Sequence, residues 1–184
     1  MMNAGVEIID GAFDDTFLEY CENYYLGRLK WQYGHVSMNI NNAVQPRFFF
    51  GVLFDDYVIA DCPVTDYIKT VIQKSFNMKI EEYEDLYMNG HTYQLDGTHH
   101  VDQHIKDVEQ QKYTVMMMPN YFTEDDENVY GGFEFAYDTV VDYKPGRILI
   151  FPSNVTHRGL STTSKCHMRM TLVWKNCTIT RYSD

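Results

Sequence analysis

The sequence lacks several features that would place it in a specialised class of protein. No stretch reaches the roughly 18 consecutive apolar residues of a membrane-spanning helix, and the four cysteines form no C-x-x-C pair. The opening MMNAGVEIIDGAFDD has no basic segment followed by a long apolar run, so no secretory signal is predicted. We therefore expect free thiols and a cytoplasmic location.

Basic residues are also scarce. The 15 Lys and Arg against 26 Asp and Glu give a formal net charge of −11, and such a field repels polyanions. The charge therefore weighs against a bare nucleic-acid-binding protein. Aromatic residues, by contrast, make up 15% of the chain, which favours strands over a helical bundle. A length of 184 residues is enough for a single domain with a buried core.

The residue pattern divides the chain into an early helical part and a later β part. A helix is expected after Asp14–Asp15, with Phe17, Tyr20, Cys21 and Tyr24 on one face, and a second after Pro63, with Ile68, Val71, Ile72 and Phe76. From about residue 82 short β-like runs alternate with turn residues: YEDLYM, YTVMMMP, GGFEFAY, RILIFP and MRMTLVWK. We predict one mainly β domain with N-terminal helices, in which residues 1–80 form a supporting and sheet-edge region and residues 81–178 form the core.

The segment GTHHVDQH contains a candidate metal site. In an extended chain the side chains of His100 and Asp102 point the same way, while that of His99 points away. His157, in the loop that follows the strand RILIFP, is a candidate third ligand. Two histidines and one carboxylate are typical of non-haem Fe(II) oxygenases. The alternative is a surface histidine beside a carboxylate, and His104 is either near the site or an exposed loop residue.

The last strand carries polar residues on one of its two faces. In MRMTLVWK the side chains of Arg169, Thr171 and Val173 share a face, opposite Met168, Met170, Leu172 and Trp174. A buried guanidinium beside a hydroxyl can bind a small carboxylate bidentately. An arginine on an outward, solvated face of the sheet is the alternative interpretation.

Five segments in order resemble one family. HTYQLDGTHHVD, YTVMMMPN, GGFEF, KPGRILIFPSNVTHRG and RMTLVWK, spread over about residues 83–175, resemble the Fe(II)/2-oxoglutarate-dependent dioxygenases. The resemblance is to the prolyl-4-hydroxylase-like branch and its short phage-type relatives; if the chain is phage-encoded, the expected cytoplasm is that of a host. It implies a double-stranded β-helix (jelly-roll) core backed by helices, with Fe(II), the cosubstrate 2-oxoglutarate and O2 as cofactors.

The resemblance also implies roles for individual residues. His100, Asp102 and His157 would be the catalytic iron ligands, and Arg169, assisted by Thr171, would bind the distal carboxylate of 2-oxoglutarate. The family often has a tyrosine where this chain has Met118, so further cosubstrate contacts are expected from Asn89 and Tyr93. His167 is a minor rival to Arg169.

The activity that follows from the resemblance is hydroxylation of a C–H bond. The expected substrate is a prolyl or other amino-acid residue in a protein, with a free amino acid or small metabolite, or a nucleobase, as alternatives. Two other classes stay open: a non-catalytic jelly-roll binding module and a zinc hydrolase with the same ligands. No membrane partner is expected, and the sequence does not indicate an oligomeric state.

Overall fold

The computed structural model describes residues 5–35, 48–55, 58–59, 62–103, 110–121, 131–136, 139–163 and 167–183. Within these ranges the fold is mainly β with two helices near the N-terminus, which confirms that part of the predicted fold class. The helices are α1 (Asp15–Arg28) and α2 (Pro63–Ser75). The strands are β1 (Glu7–Ile9), β2 (Gln32–His35), β3 (Phe48–Asp55), β4 (Val58–Ile59), β5 (Met78–Glu82), β6 (Asp85–His91), β7 (Tyr113–Met117), β8 (Gly132–Phe135), β9 (Thr139–Asp142), β10 (Ile148–Pro152), β11 (His157–Gly159) and β12 (Arg169–Arg181).

The strands form two antiparallel sheets. The large sheet has the order β1-β10-β7-β12-β6-β3-β2, with β4 added to β3 and β5 added to β12. The small sheet has the order β11-β8-β9. The long strand β12 lies near the middle of the large sheet and pairs with β6, β7 and β5. Both outer strands of the main path, β1 and β2, come from the first 80 residues.

Strand alternation gives the large sheet two different faces. One face packs against the helices in a cluster that includes Met88, Met117, Ile150, Leu172 and Trp174. The other face packs against the small sheet through Met116, Leu149, Phe151 and Val173 together with Phe133, Phe135 and Val141. We call these the helix face and the inner face; the predicted split of β12 into two faces is confirmed.

The two predicted helices are present, with one error in the buried face. Asp14 caps α1 by accepting a hydrogen bond from the Phe17 backbone N–H at 2.8 Å. The buried residues of α1 are Leu18, Cys21 and Tyr25, whereas Tyr20 is 55% exposed, so placing Tyr20 on the core face was wrong. Aromatic spacing alone misled that assignment, because Leu18 and Tyr25 complete the stripe that packs on the sheet.

Strands occur in all five predicted β-like runs, but several others had no clear signal in the sequence. Strands β1, β9 and β11 have three or four residues each, too short for period-two alternation to be recognised. His104, the acidic segment EDDEN and most of the segment from Asn39 to Phe50 lie outside the described residues.

The remaining sequence expectations concern thiols and membrane spans. The three cysteines within the described residues, Cys21, Cys62 and Cys177, are free and buried. Burial raises the pKa of the Cys21 and Cys177 thiols to about 12. None of the helices in the described ranges is long and apolar enough to cross a membrane.

Candidate functional site

The segment that carries His100 and Asp102 runs antiparallel to β11. The backbone N–H of His100 donates to the carbonyl of His157 at 3.0 Å, and the reverse hydrogen bond measures 2.9 Å. This contact is a single β-bridge, so the strand expected through these residues is not continuous. Asp102 lies in a bend just beyond it, where its backbone N–H donates to the Ser153 carbonyl at 2.9 Å.

The predicted ligands come together between the two sheets. His100 Nε2 lies 3.7 Å from Asp102 Oδ1, and His157 Nε2 lies 3.7 Å from Asp102 Oδ2. One nitrogen or oxygen from each residue lies within 4.8 Å of the others. The side chains of Asp102 and His157 are 3% and 2% exposed, while that of His100 is 16% exposed. The three groups therefore converge on one point that is reached from the His100 side.

Both imidazoles are oriented for ligation through Nε2. Nδ1 of His100 lies 2.9 Å from the Thr98 carbonyl, and Nδ1 of His157 lies 2.9 Å from the Val155 carbonyl. Because a carbonyl oxygen only accepts, each Nδ1 carries the proton and leaves the Nε2 lone pair facing the cluster. Burial lowers the pKa of His157, against the opposing effect of Asp102, and so favours the neutral imidazole that binds a metal.

A second polar group lies on the inner face of the large sheet. Arg169 is fully buried, and its guanidinium carbon lies 4.6 Å from the Phe133 ring centroid and 5.5 Å from that of Tyr143. Burial lowers its pKa to about 10, so it stays charged at neutral pH. Among the residues that the structure describes, its Nε and Nη2 have no hydrogen-bond partner, and Nη1 reaches Thr171 Oγ1 at 3.4 Å.

Unpaired donors on a buried cation are costly, on the order of 1–3 kcal/mol each or more. Two such donors on one planar guanidinium match the two oxygens of a carboxylate. The outward-facing alternative for Arg169 is therefore wrong. His167, two residues earlier, is exposed, so Arg169 is the buried one of the two candidates.

The register of β12 against β6 brings further polar residues to the same part of the large sheet as Arg169. Thr171 pairs with Asn89, and Arg169 pairs with His91. Asn89 Oδ1 is buried without a hydrogen-bond partner among the described residues. Tyr93 lies beyond the end of β6 and is 36% exposed, so its role in binding cosubstrate stays a prediction.

Two residues that the sequence analysis did not single out support the strand that carries Arg169. Asn120 Oδ1 accepts from the Met170 backbone N–H at 2.7 Å, and its Nδ2 donates to the Met168 carbonyl at 3.1 Å. Tyr143 donates to the Met170 carbonyl at 2.6 Å. Their roles depend on long-range contacts, which no local pattern in the sequence indicates.

Met118 and Gly159 are two further positions on the inner side of the molecule. Met118, where the family often has tyrosine, is fully buried and packs in the inner cluster. A Cβ at Gly159 would lie 2.6 Å from Arg169 Nη2 and 3.1 Å from His91 Nε2. Only glycine leaves room there for the two side chains.

His99 points to the opposite surface of the small sheet, as predicted. It is half-exposed, and its Nε2 lies 3.6 Å from Glu134 Oε1. Glu134 also accepts from Arg158 Nε at 2.7 Å. His99 thus contacts the partly exposed pair of Glu134 and Arg158.

Comparison with solved structures shows that the chain shares the fold of the prolyl hydroxylases. A viral collagen prolyl hydroxylase from Paramecium Bursaria Chlorella virus-1, in its 2OG complex, superposes with a TM-score of 0.64 at 15% identity over 97% of each chain. A Trichoplax adhaerens prolyl hydroxylase, in complex with a hypoxia inducible factor peptide, gives 0.63 at 17% identity over 94% of this chain and 84% of that one. A Pseudomonas putida prolyl-4-hydroxylase gives 0.60 at 12% identity over 95% and 93%.

The similarity is one of structure rather than of sequence. No protein-family model and no curated protein sequence matches the chain. The resemblance predicted from five short segments is thus confirmed for the fold. The donor set of two imidazoles and one carboxylate suits Fe(II), and the buried guanidinium suits a carboxylate.

Proposed function

We propose that this chain is an Fe(II)- and 2-oxoglutarate-dependent dioxygenase that hydroxylates a C–H bond. The observation that carries the proposal is the pairing of two sites on one inner surface: a His-Asp-His cluster and a buried arginine with two unpaired donors. The arginine is what a simple metal hydrolase would not need. The prolyl hydroxylase fold supports the same conclusion.

Each residue would have a defined task. His100 Nε2, His157 Nε2 and a carboxylate oxygen of Asp102 would hold the iron and leave its other positions open. Arg169 Nε and Nη2 would bind the distal carboxylate of 2-oxoglutarate, beside Thr171 and Asn89. When bound, Fe(II), 2-oxoglutarate and O2 supply the oxidation that places a hydroxyl on a C–H bond, with succinate and CO2 as coproducts.

The inner apolar cluster would keep bulk water from the cosubstrate. Phe133 and Tyr143 cover the guanidinium of Arg169, while Phe135 and Phe151 pack within 6.0 Å and 4.8 Å of the His157 ring. Excluding water strengthens the charge–charge contact between Arg169 and a carboxylate. The packing of Phe135 and Phe151 also restricts the orientation of the His157 ring.

We further propose that residues 81–178 form a double-stranded β-helix core within a single domain that residues 1–80 support. The edge strands β1 and β2 and both helices come from that N-terminal part. A cytoplasmic location is part of the same proposal.

The proposed substrate is a prolyl or other amino-acid residue of a protein. Two of the structural neighbours are described with a peptide or as a collagen hydroxylase, and this supports a peptide substrate. A free amino acid, a small metabolite or a nucleobase are the alternatives. The net charge of −11 disfavours the nucleobase alternative.

The test is an anaerobic absorption titration with Fe(II) followed by 2-oxoglutarate. We expect a visible charge-transfer band in the wild-type protein that is absent from His100→Ala. The matched control is His99→Ala, because this neighbouring histidine points to the other surface, and it should keep the band. Once the band is found, succinate release can be used to search for the substrate.

If iron binds but no band appears with 2-oxoglutarate, the oxygenase proposal fails. A zinc hydrolase or a non-catalytic binding module would then be the better explanation. Zinc binding that is indifferent to Arg169→Ala would favour the hydrolase. If no metal binds at all, the binding module is favoured.

A further inference from the structure

Thr114 is a buried polar residue at the start of an otherwise apolar stretch. It is fully buried on β7 and is followed by Val115, Met116 and Met117. Its hydroxyl donates to Asp102 Oδ2 at 2.6 Å. A hydroxyl at this depth therefore serves the carboxylate of the candidate metal centre.

A second hydroxyl extends the contact. Ser153, also fully buried, has its Oγ 3.0 Å from Thr114 Oγ1. A threonine hydroxyl has one proton, and that of Thr114 is donated to Asp102 Oδ2. Ser153 must then donate to Thr114. The result is a directed chain from Ser153 through Thr114 to Asp102, in which each hydrogen bond polarises the next.

Ser153 also fixes the main chain on either side of this contact. Its carbonyl accepts from the backbone N–H groups of Asp102 and Gln103, both at 2.9 Å. Its own N–H donates to the Lys112 carbonyl at 3.0 Å, two residues before Thr114. The backbone and the carboxylate of Asp102 are thus held by the same pair of residues.

This arrangement makes the two oxygens of Asp102 unequal. Each oxygen lies 3.7 Å from one imidazole, Oδ1 from His100 Nε2 and Oδ2 from His157 Nε2. Only Oδ2 accepts the short hydrogen bond from Thr114, whereas Oδ1 has no hydrogen-bond donor among the described residues. We propose that Thr114, supported by Ser153, is a positioning residue that presents Asp102 as a one-oxygen ligand through Oδ1. The inference rests on the proposed function, because it takes the three-residue cluster to be a metal centre.

The proposal is tested with Co(II) as the probe, by its visible absorption and its dissociation constant. Thr114→Val keeps the shape and removes the donor, and Thr114→Ser keeps the donor. We expect Thr114→Val to weaken Co(II) binding about 10- to 100-fold, as is usual when a residue that orients a metal ligand is lost. Thr114→Ser should bind Co(II) with an affinity within a few-fold of that of the wild type.

The spectrum separates positioning from a general loss of stability. If Oδ2 is released and both oxygens bind, the coordination number rises and the visible Co(II) absorption becomes weaker in Thr114→Val. The matched control is Thr65→Val: Thr65 is also buried, but it contacts Tyr25 and Cys62 beneath the helices. This control should leave the affinity and the spectrum unchanged.

The outcomes are distinct. If wild type binds Co(II) and Thr114→Val binds it equally with the same spectrum, the positioning role is wrong while the proposed function stands. If wild type binds neither Co(II) nor Fe(II), both are wrong. Should Thr114→Val fail to fold, Ser153→Ala gives the answer: a loss of about threefold or more supports the chain of hydroxyls, and wild-type affinity overturns it.

Discussion

The two faces of strand β12 are built by opposite rules. Toward the helices, Met170, Leu172 and Trp174 are fully buried in an apolar cluster. Toward the small sheet, Arg169 and Thr171 bring a charge and a hydroxyl to an equally buried surface. Residues that alternate along one strand therefore lie on two buried surfaces of different polarity.

The difference lies in how far each face satisfies its own polar atoms. The helix face gains stability from apolar burial, although the indole N–H of Trp174 has no partner among the described residues. The inner face leaves two donors of a cation unpaired there. A protein selected for stability alone would replace such a cation with an apolar side chain. The inner face thus carries a cost in stability that the proposed carboxylate ligand would offset.

The largest expected effect is on the helix face. Trp174→Ala should lower the free energy of unfolding by about 3–5 kcal/mol, because a large buried side chain is lost and a cavity remains. The substitution also removes the unpaired indole N–H, so we expect the loss of unfolding free energy to lie near the lower end of this range. Urea denaturation of the metal-free protein measures it, and the fraction that remains folded should bind Co(II) as wild type does. A cost below about 1 kcal/mol would contradict the assignment of this face to stability.

On the inner face we expect a substitution to weaken ligand binding without lowering stability. Arg169→Met should weaken 2-oxoglutarate binding on the order of 10²- to 10³-fold, because an ionic partner is lost in a buried site. The unfolding free energy of the ligand-free protein should stay equal or rise, since an unpaired buried charge is removed. The matched control is Arg158→Met, an arginine that is 31% exposed and paired with Glu134. Equal binding by both variants would remove Arg169 from the receptor.

The sequence was sufficient for the features that depend on local alternation. Period-two spacing placed Arg169 and Thr171 opposite Leu172 and Trp174, and the i, i+2 relation placed Asp102 beside His100. Both relations involve residues within one short segment. Neighbours within one segment could therefore be predicted, even though Asp102 lies in a bend beyond a single β-bridge and not on a continuous strand. The grouping of these segments into one site came from the family resemblance.

The sequence was insufficient where a role depends on a residue far along the chain. Thr114 reaches Asp102 twelve positions away only because β7 lies beside β10 and the loop after it. His91 lies beside Arg169 because of the register between β6 and β12, which no sequence pattern specifies. Tyr20 was misplaced for the same reason, since the sheet decides which stripe of α1 is buried.

The smallest expected effect tests whether the inner face tolerates one methyl group. The backbone of Gly159 does not have a positive φ, so Gly159→Ala is allowed by the main chain. The new Cβ would lie 2.6 Å from Arg169 Nη2, and the guanidinium would have to move. We expect 2-oxoglutarate affinity to fall about tenfold while the melting temperature changes little, since the atom displaced is the end of a flexible side chain.

Gly27→Ala is the matched control, because a Cβ there meets nothing within 4 Å. Gly27 lies within α1, so alanine should raise the unfolding free energy by about 0.5–1 kcal/mol and leave cosubstrate binding unchanged. If Gly159→Ala binds 2-oxoglutarate as wild type does, the guanidinium can move without loss, and Arg169 does not have to be held in place to bind. If affinity falls and stability does not, the space beside Gly159 belongs to the receptor, and the two faces of the large sheet differ in function down to a single methyl group.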